Sequence, residues 1–91
     1  MSESNGTRVR AEVVEIMGSG ECPSGLEVGR AWVIDDYLCP QGMCVFAYNS
    51  IMPFITTLRF NGRFPWREEP MARVCCPDAG HPVVFQLTAE G

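Results

Sequence analysis

Three of the five cysteines in this 91-residue chain are followed directly by proline, at Cys22, Cys39 and Cys76. Proline fixes its own φ, lacks an N–H group and pushes the preceding residue toward extended backbone. Each Cys-Pro pair therefore predicts a thiol on a turn rather than inside a helix. Three such turns in one small domain can bring several thiols to one place. The pattern points to a site but not to a reaction.

The composition predicts one domain with a core of its own. Hydrophobic residues make up 46% of the chain, and we assign residues 8–91 to a single compact domain behind a disordered tail at 1–7. The formal net charge is −4, which argues against a nucleic-acid binder because such proteins carry a basic stripe. All seven basic residues are arginine, so lysine chemistry is excluded.

The chain has no apparent membrane or export signal. No stretch approaches the roughly 20 apolar residues of a membrane span, and the polar start lacks the apolar centre of a signal peptide. We therefore expect no membrane contact and a cytoplasmic location, where thiols stay reduced. Five cysteines is an odd number, which fits a disulfide framework poorly.

The hydrophobic pattern predicts an α+β fold in the order β-β-α-β-β, a small antiparallel sheet packed on one kinked helix. The first strand starts at Arg8 and ends before Gly18, with Val9, Ala11, Val13 and Glu15 on one face. The other elements are predicted over 26–34 (a strand broken at Gly29), 43–60 (the helix), 71–76 and 82–88 (two strands joined by a loop over 77–81).

The predicted helix is unusually apolar. Asn49, Pro53, Thr56 and Thr57 form only a narrow polar stripe, so we expect burial on several sides. Pro53 either kinks the helix or starts a second short helix after Ser50. A helix this apolar is compatible with a homodimer or a larger protein complex as well as with a monomer.

The Phe64-Pro65-Trp66 segment lies between two arginines. Tryptophan and arginine are enriched in interface hot spots, so an exposed anchor for a partner is one interpretation. The other, which we favour, is an aromatic lid in which Trp66 folds back on the domain. Trp32 is predicted to be buried in the sheet.

Several short motifs occur together along the chain. They are Glu21-Cys22-Pro23-Ser24-Gly25, Gly42-Met43-Cys44, Pro53, Phe64-Pro65-Trp66, Cys76-Pro77-Asp78 and Pro82-Val83-Val84-Phe85. The combination resembles a family of small bacterial and archaeal proteins of unknown function, over almost the whole chain after Thr7. The resemblance implies that Cys22, Cys44 and Cys76 belong together and that Cys39 and Cys75 are extras. Relatives often carry histidine where this chain has Leu26.

Thiolates bind zinc in tetrahedral sets of four, and iron–sulfur clusters usually have four as well. Cys39 and Cys44 have a spacing that a loop can wrap around a cluster, and Cys22 and Cys76 would arrive from other loops. His81 follows Cys76 by five residues and adds a nitrogen ligand. These five residues are the predicted metal ligands. If Cys75 and Cys76 lie in a strand, only one of them faces the site.

Other interpretations of the same thiols stay open. Free cysteines are often small core residues, and a disulfide or redox pair is a further alternative. Cys44 lies where the helix begins, which lowers a thiol pKa, but nothing places His81 beside it as a base. Asp78 is predicted to be a turn former.

We therefore expect no catalytic residues, and an enzyme is the less favoured class. The preferred interpretation is a non-catalytic thiolate site for zinc or an iron–sulfur cluster, an accessory to a redox enzyme. The alternative is a metal-free interaction module with buried structural cysteines.

Overall fold

Four strands and one helix occur in the described residues, in the predicted order β-β-α-β-β. The computed structural model describes residues 6–18, 20, 22 and 24–90. The elements are β1 (Arg8–Ile16), β2 (Ala31–Ile34), α1 (Val45–Arg59), β3 (Met71–Cys75) and β4 (Val83–Glu90). The predicted α+β class is confirmed. Residues 1–5 of the predicted tail lie outside the described residues, and the Thr7 N–H donates to the Arg59 carbonyl at 2.6 Å.

The four strands form one antiparallel sheet in the order β2-β1-β4-β3. Strand β1 is central and pairs with both β2 and β4, and its register against β4 shifts between Val13 and Glu15. A bulge of this kind adds a residue to one strand and changes which side chains face the core. The predicted alternation is therefore wrong beyond Val13: Glu15 is exposed, and Ile16 packs against the core.

Strand β2 is shorter than predicted. It covers Ala31–Ile34, whereas residues 26–29 form a loop and turn in place of the first half of the predicted strand. Gly29 has a φ of 97° and its N–H donates to the Val13 carbonyl at 2.8 Å. Because a positive φ suits glycine and interrupts extended backbone, the strand starts only after this residue.

The core lies between one face of the sheet and one face of α1. The buried helix residues recur at helical spacing, at Ala47, Ile51, Ile55, Leu58 and Arg59, which is the pattern of a helix with a single buried stripe. The expected burial on several sides is wrong, since Val45, Phe46 and Met52 are exposed. The sheet contributes Val9, Ala11, Val13, Trp32, Ile34, Val83, Phe85 and Leu87.

Helix α1 runs through Pro53 as one element, so the alternative of a second helix after Ser50 is wrong. Its C-terminus has the hydrogen bonds of a Schellman motif. The Gly62 N–H donates to the Thr57 carbonyl and the Asn61 N–H to the Leu58 carbonyl, with Asn61 at a φ of 69°. Within the part of the chain that the structure describes, no helix is long and apolar enough to cross a membrane.

The two tryptophans lie in different environments. Trp32 is 8% exposed and its Nε1–H donates to the Gln41 carbonyl at 3.0 Å, so its predicted burial is confirmed. Trp66 is 67% exposed, and the predicted lid is wrong for this side chain. Trp66 stacks on Phe64 with ring centroids 5.1 Å apart, and Phe64 packs against the core. The core therefore anchors Phe64 and leaves Trp66 at the surface.

Candidate thiol site

Three of the five cysteines line one cavity of about 170 Å³. Cys22 comes from the loop between β1 and β2, Cys44 precedes α1, and Cys76 follows β3. His81, from the loop between β3 and β4, lines the same cavity. The remaining lining residues are Ser24, Leu26, Phe46, Ala47, Asp78 and Val83. The structure brings four of the five predicted ligands to one place, and their role as ligands stays a prediction.

Cys44 is the N-cap residue of α1. A turn positions it, because the Met43 N–H donates to the Pro40 carbonyl at 3.1 Å. At an N-cap, the first N–H groups of the helix have no partner within the helix and point toward the cap side chain. The sequence-based expectation that Cys44 lies where the helix begins is confirmed.

The surroundings of Cys44 favour its thiolate form. Ser24 Oγ lies 3.3 Å from Cys44 Sγ, and this hydrogen bond is the largest cause that lowers the pKa of Cys44 below its ordinary value. Burial opposes it, and the backbone N–H groups of Ala47 and Phe46 lower the pKa further. Donation to sulfur stabilises the charged form, so these neighbours favour the thiolate of Cys44.

Cys76 is held by the continuation of the β3–β4 ladder. Its N–H donates to the Val83 carbonyl at 3.0 Å, and the Val83 N–H donates back to Cys76 Sγ at 3.3 Å. The side chain is 7% exposed, whereas Cys75 is exposed and does not line the cavity. Strand β3 ends at Cys75, so the two cysteines do not share a strand, and only Cys76 lines the cavity.

Cys22 reaches the cavity from a turn. Its carbonyl accepts the Gly25 N–H at 2.9 Å, and Gly25 has a φ of 86°, a conformation that suits glycine. The Cys22 side chain is half-buried and packs against the core. Leu26 is buried beside it and offers no ligand atom to the cavity.

Asp78 and His81 form a pair on the hairpin loop. Asp78 Oδ1 accepts the N–H groups of Gly80 at 3.0 Å and His81 at 3.3 Å, and Asp78 Oδ2 lies 3.5 Å from His81 Nδ1. The Gly80 N–H is the main cause that lowers the pKa of Asp78. The sequence predicted the turn-forming role but missed the contact with the imidazole. The spacing of three residues to the single histidine was the available signal.

Cys39 does not belong to this group. It is exposed and is not among the residues that line the cavity, although it precedes Cys44 by only five positions. Burial is the main cause that raises the pKa of Cys39, and the charge of Cys44 raises it further. The cavity therefore takes Cys44 but not Cys39 from the segment at 39–44.

All five cysteines lie within the described residues and are free thiols. Across residues 6–18, 20, 22 and 24–90, no group of three or more histidine, cysteine or acidic side chains stands in an arrangement that could hold a metal ion. The thiols therefore share a cavity without forming a closed ligand set.

None of the family models, curated proteins or solved structures compared with this chain matches it. The resemblance to the small bacterial and archaeal family therefore stays a prediction. Any functional conclusion depends on the chemistry of the cavity itself.

Proposed function

We propose that this domain is a non-catalytic metal-binding protein in which Cys22, Cys44 and Cys76 bind zinc or an iron–sulfur cluster as thiolates. The observation that carries the proposal is the single cavity lined by three thiols from three separate segments of the chain. Cysteines that serve only as small apolar residues are expected to be distributed among core side chains. Three thiols that line one cavity instead suggest a shared ligand.

Hydrogen bonds to two of the sulfurs support this proposal. Ser24 Oγ lies 3.3 Å from Cys44 Sγ, and Cys76 Sγ accepts the Val83 N–H at 3.3 Å. Thiolate is the ligand form of cysteine, and donors aimed at sulfur stabilise it. Such hydrogen bonds also tune the electronic properties of metal-bound thiolates.

Metal binding would require a local rearrangement of side chains. Since no three of the candidate groups stand at ligating positions in the described residues, the cysteine side chains would turn further into the cavity. The three thiols lie on loops and element ends, where such rotation costs less than within packed strands. Binding would then order this end of the domain, because the free energy of metal binding becomes free energy of folding.

Metal analysis of anaerobically purified protein tests the proposal. We expect about one zinc ion or one cluster with its sulfide per chain, and a loss of the metal in Cys44→Ser, because the substitution removes a thiolate ligand. Cys75→Ser is the matched control, since Cys75 is a free thiol outside the cavity. Protein that neither retains nor takes up metal, or an equal loss in both variants, would contradict the proposal.

We also propose membership of the resembled family, a cytoplasmic location and an accessory role beside a redox enzyme. The motif pattern supports the membership. Five free thiols fit a reducing compartment. The accessory role can be tested by purifying the native protein together with its bound partners from its own organism. The partners are then identified. Co-purification with a redox enzyme in wild type but not in Cys44→Ser is the expected result.

The exposure of Trp66 favours a second candidate, a metal-free interaction module. Trp66 is 67% exposed and is stacked on Phe64, which itself contacts Phe54 with ring centroids 5.7 Å apart. An exposed tryptophan supported by a half-buried aromatic ring can anchor a protein interface, where tryptophan is enriched among hot spots. Sedimentation velocity over a range of concentrations tests self-association through it. This candidate predicts a dimer in wild type and in Cys44→Ser, and a monomer in Trp66→Ala.

A further inference from the structure

The outer surface of α1 carries no charged side chain. Residues 45–60 are all described, and Arg59, the only charged residue among them, is buried. The exposed positions are Val45, Phe46, Asn49, Met52, Pro53, Thr56 and Phe60. The solvent face of a helix usually carries charged and polar residues. An uncharged outer surface with several large apolar side chains therefore indicates a surface that another molecule covers.

The outer face of the sheet differs from this helix surface. Arg10, Glu12 and Arg73 alternate with buried residues along β1 and β3, so they lie on the face opposite the core. Arg10 Nη2 donates to Glu12 Oε1 at 3.2 Å, and Arg73 Nε donates to Gln86 Oε1 at 3.0 Å. The sheet layer thus presents charged groups on its outer face, whereas the helix layer presents none.

Four of the exposed helix positions have the spacing of a coiled-coil seam. Val45, Asn49, Met52 and Thr56 are separated by steps of four, three and four residues, which places them along one line of the helix. Phe60 follows Thr56 by four residues. We call these five residues the outer seam. All five are exposed, and none of them lines the thiol cavity.

The outer seam matches itself in the antiparallel direction. Asn49 and Thr56 are equally far from its midpoint, which lies just after Met52, and so are Val45 and Phe60. A two-fold axis at this midpoint places Asn49 of one copy opposite Thr56 of the second copy. The Thr56 hydroxyl donates to Met52 Sδ at 3.4 Å, so its oxygen can accept a hydrogen bond from an asparagine amide.

We propose that the outer seam is the interface of a homodimer, in which the helices of two copies pack antiparallel about a two-fold axis beside Met52. An isologous contact brings identical surfaces together. Charged surfaces of a chain with net charge −4 tend to repel their own copies, and the uncharged seam does not. A membrane fits less well, because helices that lie on membranes carry basic residues on their polar face, and the only basic residue of α1 is buried.

The size of the outer seam predicts a weak dimer. A helix of 15 residues is about 22 Å long and about 10 Å wide, whereas a standard interface buries about 800 Å² on each partner. Tyr37 and Leu38 extend the surface, because both are exposed and lie beside α1. The Tyr48 hydroxyl donates to the Leu38 carbonyl at 3.4 Å, and the Arg59 guanidinium lies 5.0 Å from the Tyr37 ring centroid. The dimer should therefore dissociate on dilution.

Sedimentation velocity over about 5–500 µM tests the proposal. Wild type should change from a 10.1 kDa monomer to a species of twice that mass as its concentration rises. Met52→Glu and Met52→Arg each place like charges beside the two-fold axis, so each variant alone should stay monomeric. An equimolar mixture of the two should dimerise again, because opposite charges then meet across the axis.

Val33→Glu is the matched control for the added charge. Val33 is 48% exposed and Met52 is 41% exposed, but Val33 lies on the outer face of β2, so this variant should dimerise as wild type does. Asn49→Glu is a second probe of the outer seam if a Met52 variant does not fold. It buries an unpaired carboxylate in the interface and should also be monomeric.

The results separate this dimer from the other proposals. Wild type that stays monomeric, a dimer of Met52→Glu, or a mixture of the two Met52 variants that stays monomeric would overturn the antiparallel seam. A monomer in Val33→Glu would place the contact on the sheet and overturn it as well. Trp66→Ala and Cys44→Ser should both dimerise. A protein that dimerises through the seam but binds no metal would overturn only the metal function.

Discussion

The fully buried centre of the core and the thiol and imidazole groups of the cavity come from different parts of the chain, although Ala47, Cys76 and Val83 belong to both regions. The fully buried side chains of the core, such as Ile51, Ile55 and Phe85, lie within α1 and the two central strands. The cysteines and the histidine of the cavity lie in loops or at the ends of elements. Burial of apolar area holds the first region together, and hydrogen bonds between backbone and side chains position the second.

The stability of the fold and the chemistry of the thiols therefore depend on different residues. Substitutions in the core should reduce the free energy of unfolding whatever the state of the thiols. Substitutions in the cavity should change ligand binding and thiol ionisation more than they change folding.

The largest effect is expected at Ile55, which is 1% exposed. Ile55→Ala removes buried methyl and methylene groups and leaves a cavity, at a cost of about 2–5 kcal/mol in the free energy of unfolding. Val45→Ala in the same helix is the control, because Val45 is 74% exposed and its truncation should cost less than about 0.5 kcal/mol. Urea denaturation followed by circular dichroism measures both. Similar losses would show that the helix does not bury the assigned face.

A smaller effect separates the two adjacent cysteines. Cys76→Ala leaves the buried Val83 N–H without its sulfur acceptor, which should cost about 1–3 kcal/mol in the metal-depleted protein. Cys75→Ala removes an exposed side chain and should change stability by less than about 0.5 kcal/mol. The same urea titrations in the presence of chelator make the comparison. A larger loss for Cys75→Ala would reverse the assigned faces of the strand end.

Trp66 should contribute little to stability. Trp66→Ala removes its stacking on Phe64, worth about 0.5–1.5 kcal/mol. In the Trp32→Phe variant, where Trp66 is the only indole, emission should be red-shifted and readily quenched by iodide. In Trp66→Phe, emission from the buried Trp32 should be blue-shifted and protected. Protected emission from Trp66 would restore the lid that the sequence suggested.

Ionisation of the thiols should have the smallest effect on the free energy of unfolding. The folded state lowers the pKa of Cys44, and the hydrogen bond with Ser24 is the largest cause. The ionised thiol therefore contributes to the free energy of unfolding. This contribution is fully present above the ordinary thiol pKa and is lost as the pH falls through the lowered pKa. The pKa of Cys39 is raised, so its contribution has the opposite sign and is lost as pH rises. Between pH 7 and 10, the stability of wild type relative to Cys44→Ser should rise, and that relative to Cys39→Ser should fall.

Alkylation with iodoacetamide, followed by mass spectrometry of each cysteine peptide, measures the two pKa values directly. Cys44 should reach half its maximal rate at a lower pH than Cys39. In Ser24→Ala the pKa of Cys44 should move upward, since its main stabilising hydrogen bond is removed. An unchanged pH profile in Ser24→Ala would contradict the role assigned to Ser24.

The sequence predicted the fold class correctly but not the local details of the first strand and the helix. Alternation in Val9, Ala11 and Val13 and the long apolar segment were enough for the α+β class, because period and length distinguish strands from helices. The bulge after Val13 depends on pairing with β4, which local sequence does not encode. Val45 and Phe46 are exposed because they lie outside the single buried stripe of the helix, so apolar composition alone predicted too much burial.

The cavity was predictable only in part. The Cys-Pro turns singled out Cys22 and Cys76, and the motifs of the resembled family added Cys44 to them. The spacing from Cys39 to Cys44 suggested a pair of ligands, whereas Cys39 is exposed and does not line the cavity. The contact of Asp78 with His81 depends on the path of a five-residue loop, which sequence spacing suggests but does not determine.

Titration with cobalt(II) under anaerobic conditions tests most directly whether Cys22, Cys44 and Cys76 act as one metal site, because absorption from thiolate to cobalt scales with the number of bound sulfurs. The account predicts saturation at about one ion per chain, with the intensity lower by about a third in each of the three Cys→Ser variants of a three-thiolate site. Cys39→Ser and Cys75→Ser should match wild type. No thiolate band in wild type, or a loss of intensity in Cys39→Ser equal to that in Cys44→Ser, would contradict it.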